Sequence, residues 1–260
     1  MKKLNKIKKL LEKNYNFKGN NYKYNPKTND ELKNLIKQLI IQFGDEVNLN
    51  IVNVSNINDF SNIFKEYSTF NGDVSEWNVS NGYNFDSMFE YCENFNSDIS
   101  NWDISNSENL SFMFFCCSDF NSDLSHWNTS NTTNLNSIFH NCYELNIDLS
   151  KWDVSNNKYF IGIFFYCYNF NSDLSRWNTS KSQTFNFMFN VCSKFNSDLS
   201  NWDVSNGENF ECMFYKCKSF DADLSKWDVS KAKIWYNFAK DSLLAEFPER
   251  IPARFRRDYL

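Results

Sequence analysis

Seven aspartates, Asp73, Asp98, Asp123, Asp148, Asp173, Asp198 and Asp223, recur every 25 residues, the first six within an Asn-x-Asp pattern that begins at Asn71. Carboxylates and amides brought together on adjacent coils are the oxygen donors a hard cation such as calcium takes. Calcium-binding β-rolls turn on glycine, however, and this chain has only 6. Aspartate at a turn otherwise accepts backbone N–H groups, and that structural role is the one expected here. Six cysteines share the same period: Cys92, Cys117, Cys142, Cys167, Cys192 and Cys217. Equivalent Cα atoms on adjacent coils would lie about 5 Å apart, within disulfide range. No secretory leader is expected before them, because the basic stretch Met1–Lys9 never reaches an uninterrupted apolar core. The expected compartment is therefore the reducing cytoplasm, and the expected state is buried free thiols.

The remaining chemistry is sparse. His126 and His140 fall at variable positions and are expected at the surface. The serine column Ser80, Ser105, Ser130, Ser155, Ser180, Ser205 and Ser230 offers seven equal hydroxyls, whereas a nucleophile needs one unusual environment. There is no Gly-rich phosphate loop, Cys-x-x-Cys pair or nucleophile elbow. An enzyme is not expected, and neither is a cofactor or a resident metal.

These columns are positioned by a strict repeat. Trp77, Trp102, Trp127, Trp152, Trp177, Trp202 and Trp227 keep one interval without insertion or deletion, so each unit is expected to bury its apolar face against its neighbours. Within a unit, Val74-x-x-Trp77-x-Val79 reads as a short strand, and Phe85, Met88, Phe89 and Cys92 fall on one face of a short helix. The predicted fold is thus an α/β repeat solenoid, a stack of 25-residue strand-plus-short-helix units with helical caps.

Four segments follow from that reading. Residues 1–24 form a basic leader, with weak contact to a membrane surface as its functional reading. Residues 25–46 hold an N-terminal capping helix, opened by the capping box Thr28-Asn29-Asp30-Glu31, with Leu32, Leu35, Ile36, Leu39, Ile40 and Phe43 on one face. The repeats occupy 47–239, with a degenerate first unit at 47–69 and regular units from 70. Residues 240–260 make a C-terminal cap, in which the helix lengthens through Leu244 until Pro248, followed by a basic tail carrying Arg254, Arg256 and Arg257.

The net charge of −5 hides an asymmetry: residues 25–230 carry 12 basic and 27 acidic groups, while both ends are basic. A nucleic-acid ligand is excluded for the repeat face, since a phosphate backbone needs a basic stripe. No run of 18 apolar residues is present, so no transmembrane segment is expected.

The unit Ser-x-Trp-Asp-Val-Ser-Asn followed by Met-Phe-x-x-Cys-x-x-Phe-Asn resembles the repeat of BspA-type bacterial leucine-rich-repeat surface proteins, over about residues 47–239. The resemblance implies a curved solenoid with concave strands, cell-surface display, and adhesion or another protein–protein contact. The chain departs from that pattern after Ser-Asn, where Gly82, Ser107, Thr132, Asn157, Ser182, Gly207 and Ala232 replace the usual apolar residue, offset by Phe85, Phe160, Phe185 and Phe210.

On a constant frame, recognition belongs to what varies. The freely varying column beside the tryptophans is Glu76, Asn101, His126, Lys151, Arg176, Asn201 and Lys226, and next to it run Asp103, Asp153 and Asp203, alternating with asparagines. Together they form the candidate site for a protein partner on the outer face of the sheet. A rival surface lies on the helix side, at Tyr91, Phe112, Phe115, Phe165, Tyr166, Phe187 and Tyr215. The expected function is non-enzymatic protein recognition or adhesion. The alternatives are a purely structural or self-associating scaffold and, more remotely, a calcium-stabilised adhesin.

Overall fold

Cross-coil contacts at a 25-residue offset dominate the computed structural model, which describes residues 22–259. The rings of Phe64, Phe89, Phe114, Phe139, Phe164, Phe189 and Phe214 follow one another at 5.1–5.9 Å with interplanar angles of 12° or less. The repeated tryptophans are only 3–6% exposed. Each indole Nε1–H donates to the carbonyl 28 residues earlier, as Trp77 does to Leu49 at 2.9 Å and Trp202 to Leu174 at 2.9 Å. An aromatic ring with one polar atom can be fully buried only where that atom finds a partner. The constant register supplies the same partner on every coil.

The predicted α/β, leucine-rich-repeat-like fold is overturned. Among the described residues there is one α-helix and no strand, and the parallel pairing consists of isolated single-residue bridges such as Asp59–Asn84, Asn84–Asn109 and Asn109–Asn134. The reason lies in the backbone of each coil. The expected strand over 74–79 is interrupted by a turn in which Trp77 N–H donates to Val74 O, and a second turn, in which Gly82 N–H donates to Val79 O, follows it. Asp73 and Asn78 reinforce them by accepting from the amides of Ser75 and Ser80. Amides engaged in such local bonds are lost to a ladder.

The expected short helix fails for a second reason. Ser87 and Tyr91 adopt φ of 57° and 61°, and the same two positions are left-handed in the later coils. Between them the amides alternate in direction: Met88 and Cys92 donate to Phe85 and Phe89 within the coil, whereas Phe85, Ser87, Phe89 and Tyr91 donate to Asn109, Ser111, Met113 and Phe115 on the next. A left-handed non-glycine residue costs about 1–2 kcal/mol, and here each such residue that has a following coil gains a cross-coil hydrogen bond. Spacings of three and four still turn Phe85, Met88, Phe89 and Cys92 inward, so all four are fully buried without a helix.

The helix that does form, α1 (Asn29–Phe43), covers the first coil. Thr28 caps it by accepting from Glu31 N–H, and the Glu31 carboxylate accepts in return from Lys27 N–H. Leu32, Ile36, Leu39 and Ile40 face the core. Asn29 Nδ2 donates to the carbonyls of Asp59 and Ser61, which have no preceding coil to bond. Tyr24 bridges Val52 and so adds a further edge to the first coil. Most of the predicted basic leader, residues 1–21, lies outside the described residues.

At the other end the predicted lengthened helix is replaced by short 3₁₀ turns at Leu243–Glu246, Pro248–Arg250 and Arg256–Asp258. Ile251 and Phe255 are buried against the last coil.

Candidate functional site

The repeated polar columns serve the fold. In every coil the aspartate Oδ1 accepts from the amide of the serine two residues on, from Asp73–Ser75 to Asp223–Ser225. The Ser100, Ser125 and Ser175 amides, and then their hydroxyls, hold Asp98, Asp123 and Asp173 below the usual carboxylate range. Asn81, Asn106, Asn131, Asn156 and Asn206 each donate to a serine carbonyl on the coil before. The six periodic cysteines are buried, and each Sγ–H donates to the phenylalanine carbonyl 28 residues earlier, as Cys142 does to Phe114 at 3.0 Å. Burial pushes these thiols well up in pKa, which suppresses the reactive thiolate.

The predicted recognition column is left free by that arrangement. Glu76, Asn101, His126, Lys151, Arg176, Asn201 and Lys226 are all exposed, and among the described residues their side chains make no hydrogen bond or ion pair. Asp103, Asp153 and Asp203 are exposed beside them, but each gives one oxygen to a turn by accepting from the amide of Ser105, Ser155 or Ser205. The hydroxyls and amides of Ser105 and Ser155 lower Asp103 and Asp153 in pKa. These columns run along turns and not along a sheet. Asn201 also lines a shallow polar depression of about 490 Å³, together with Asn171, Asp173, Asn196 and Asp198.

The rival aromatic surface is partly closed on itself. Tyr91 and Phe112 are exposed, while Phe115, Phe165, Tyr166, Phe187 and Tyr215 are half-buried. His140 lies in their midst, its ring 4.5 Å from Phe115 and 4.4 Å from Phe165. Burial lowers its pKa to about 4. A surface histidine was expected, but its column neighbours at the 25-residue spacing are Phe115 and Phe165, and that juxtaposition was already legible.

Sequence reasoning missed the work of the C-terminal arginines. Arg254 Nη1 donates to Ser230 O, the place that an asparagine of a following coil would fill, and the guanidinium lies over Trp235 at 5.2 Å. Arg250 donates to the carbonyl and carboxylate of Asp221, and Arg256 to the carbonyls of Glu249 and Ile251. The basic tail thus closes the open edge of the last coil. Among the described residues no helix is long and apolar enough to cross a membrane.

A model of the family described as Mycoplasma protein of unknown function, DUF285, matches the chain twice, over residues 31–152 and 133–244. No curated protein matches it.

Proposed function

The chain belongs to this mycoplasma family of unknown function, and from that premise we propose that it is a non-enzymatic recognition module binding a protein partner through side chains that vary from coil to coil. One observation carries the reading. The repeated polar atoms are engaged by the protein's own backbone, whereas the column from Glu76 to Lys226 is exposed, makes no side-chain hydrogen bond or ion pair among the described residues, and changes from each coil to the next. Selection for folding alone places no demand on that column, and its mixture of acid, amide, imidazole and cation suits a partner with a patterned polar surface. The motif resemblance to BspA-type surface proteins supports adhesion as the setting.

A self-associating scaffold is less well supported. Among the described residues both ends are covered in part, by α1 at the first coil and by Arg254 and Phe255 at the last, which disfavours end-to-end growth. The test is crosslinking in the native cell with wild type and with a Lys151→Glu/Arg176→Glu variant. The reading predicts loss of the same crosslinked partner in the variant. Retention of that partner by a folded variant would refute it.

A further inference from the structure

We propose that Tyr143, Tyr166 and Tyr168, with Glu144 at their edge, form a second docking site that seats an arginine-bearing segment of a protein partner. Tyr143 and Tyr168 occupy one column on adjacent coils, with ring centroids 5.3 Å apart at 29°. Tyr166 stands against Tyr168 at 77° and 5.8 Å. The three rings therefore make a corner with two walls. Tyr143 and Tyr168 are 39% and 38% exposed, and the flanking residues of their column, Ser118 and Ser193, bring no further ring to cover them.

A carboxylate is held at this corner. Asn169 Nδ2 donates to Glu144 Oε2 and to Tyr143 O, both at 3.2 Å, and the second oxygen of Glu144 has no partner among the described residues. Glu93 also acts on Tyr143 electrostatically. Ring faces beside a carboxylate with one oxygen still open attract a cation. In the last coils the chain supplies that cation itself, where Lys216, in the column of Tyr166, places its Nζ 5.0 Å over Tyr215. In the middle coils it does not. Lys194, one coil on, joins Tyr168 through its backbone amide, and its ammonium is placed over no ring.

Guanidinium fits best because it stacks on an aromatic plane while donating N–H groups to a carboxylate. A quaternary ammonium headgroup has no N–H for Glu144. The site shares no residue with the column of Glu76 to Lys226, so its failure would leave the proposed function untouched.

The test is fluorescence anisotropy of a labelled Gly-Arg-Gly-Arg-Gly peptide titrated with the full chain at 0.15 M salt. Tyr143→Leu/Tyr168→Leu, which keeps apolar bulk and removes the rings, is expected to weaken binding about three- to tenfold. Tyr143→Phe/Tyr168→Phe should bind as wild type, and Glu144→Gln should weaken binding without touching the rings. Should the leucine pair fail to fold, Glu144→Gln decides. Unchanged peptide affinity in the leucine or Glu144→Gln variants would overturn the proposal. So would loss of phosphatidylcholine-vesicle binding in the leucine pair with peptide affinity unaltered.

Discussion

Trp152 is where the packing logic meets its sharpest test. Its side chain is 4% exposed, its ring lies 6.4 Å from Trp127 and 5.9 Å from Phe139, and its Nε1–H donates to Leu124 O at 3.0 Å. Coils on both sides hold the neighbouring rings by cross-coil hydrogen bonds, so a void at this position has little freedom to collapse. Trp152→Ala should therefore cost about 3–5 kcal/mol for the lost ring. The stranded Leu124 carbonyl adds about 1–3 kcal/mol. Trp152→Phe retains most of the ring and loses the hydrogen bond, so it should cost about 1–3 kcal/mol. The assay is equilibrium urea unfolding followed by circular dichroism, since tryptophan fluorescence itself changes with the substitution. The expected order of midpoints is wild type, then Trp152→Phe, then Trp152→Ala. A loss below about 1 kcal/mol for the alanine variant, the range of surface substitutions, would refute the assignment of the indoles to a shared core.

Other positions give independent checks. A Cβ built at Gly82 meets Phe85 Cζ at 2.5 Å and Phe60 Cδ2 at 3.0 Å, so Gly82→Ala should lower stability by about 1–3 kcal/mol. Adding Phe85→Leu, the residue type found at 110 and 135, should recover part of that loss in a double-mutant cycle. Asn29→Ala leaves the Asp59 and Ser61 carbonyls without their donor and should cost about 1–3 kcal/mol in thermal or urea unfolding. The folded pKa of His140, about 4, lies below the ordinary value of 6.5 that it takes in the unfolded chain, so the unfolded chain binds more protons in between. Its contribution to stability is complete above pH 6.5 and is lost as pH falls towards 4. Melting temperatures measured across this window should fall for wild type and stay nearly level for His140→Phe. Below about pH 3.8 the lowered aspartates Asp98, Asp123 and Asp173 protonate in turn, and both proteins should lose stability together.

The candidate site was legible in part. The exposed column of Glu76, Asn101, His126, Lys151, Arg176, Asn201 and Lys226 follows from variability beside an invariant, buried tryptophan. The double duty of Asp103, Asp153 and Asp203 was hidden, because a turn aspartate and a binding aspartate have the same spacing. Arg254 was read as tail charge because its partner, Ser230 O, is a backbone atom that leaves no mark in a residue pattern. The tyrosine corner escaped notice because Tyr166, which meets Tyr168, is itself left-handed at φ 60°, a conformation that a helical reading does not contain.

What the sequence alone determined is the register and the filling of the core. A 25-residue interval kept without insertion sets Trp over Trp and Phe over Phe, and apolar burial makes that alignment favourable whatever the local backbone does. What only the tertiary structure decided is the path of the chain between those anchors. Spacings of three and four are satisfied equally by a helical turn and by alternation of right- and left-handed residues. The alternation at Ser87 and Tyr91 gains its hydrogen bonds from Ser111 and Phe115 of the next coil, partners that exist only once the coils are stacked.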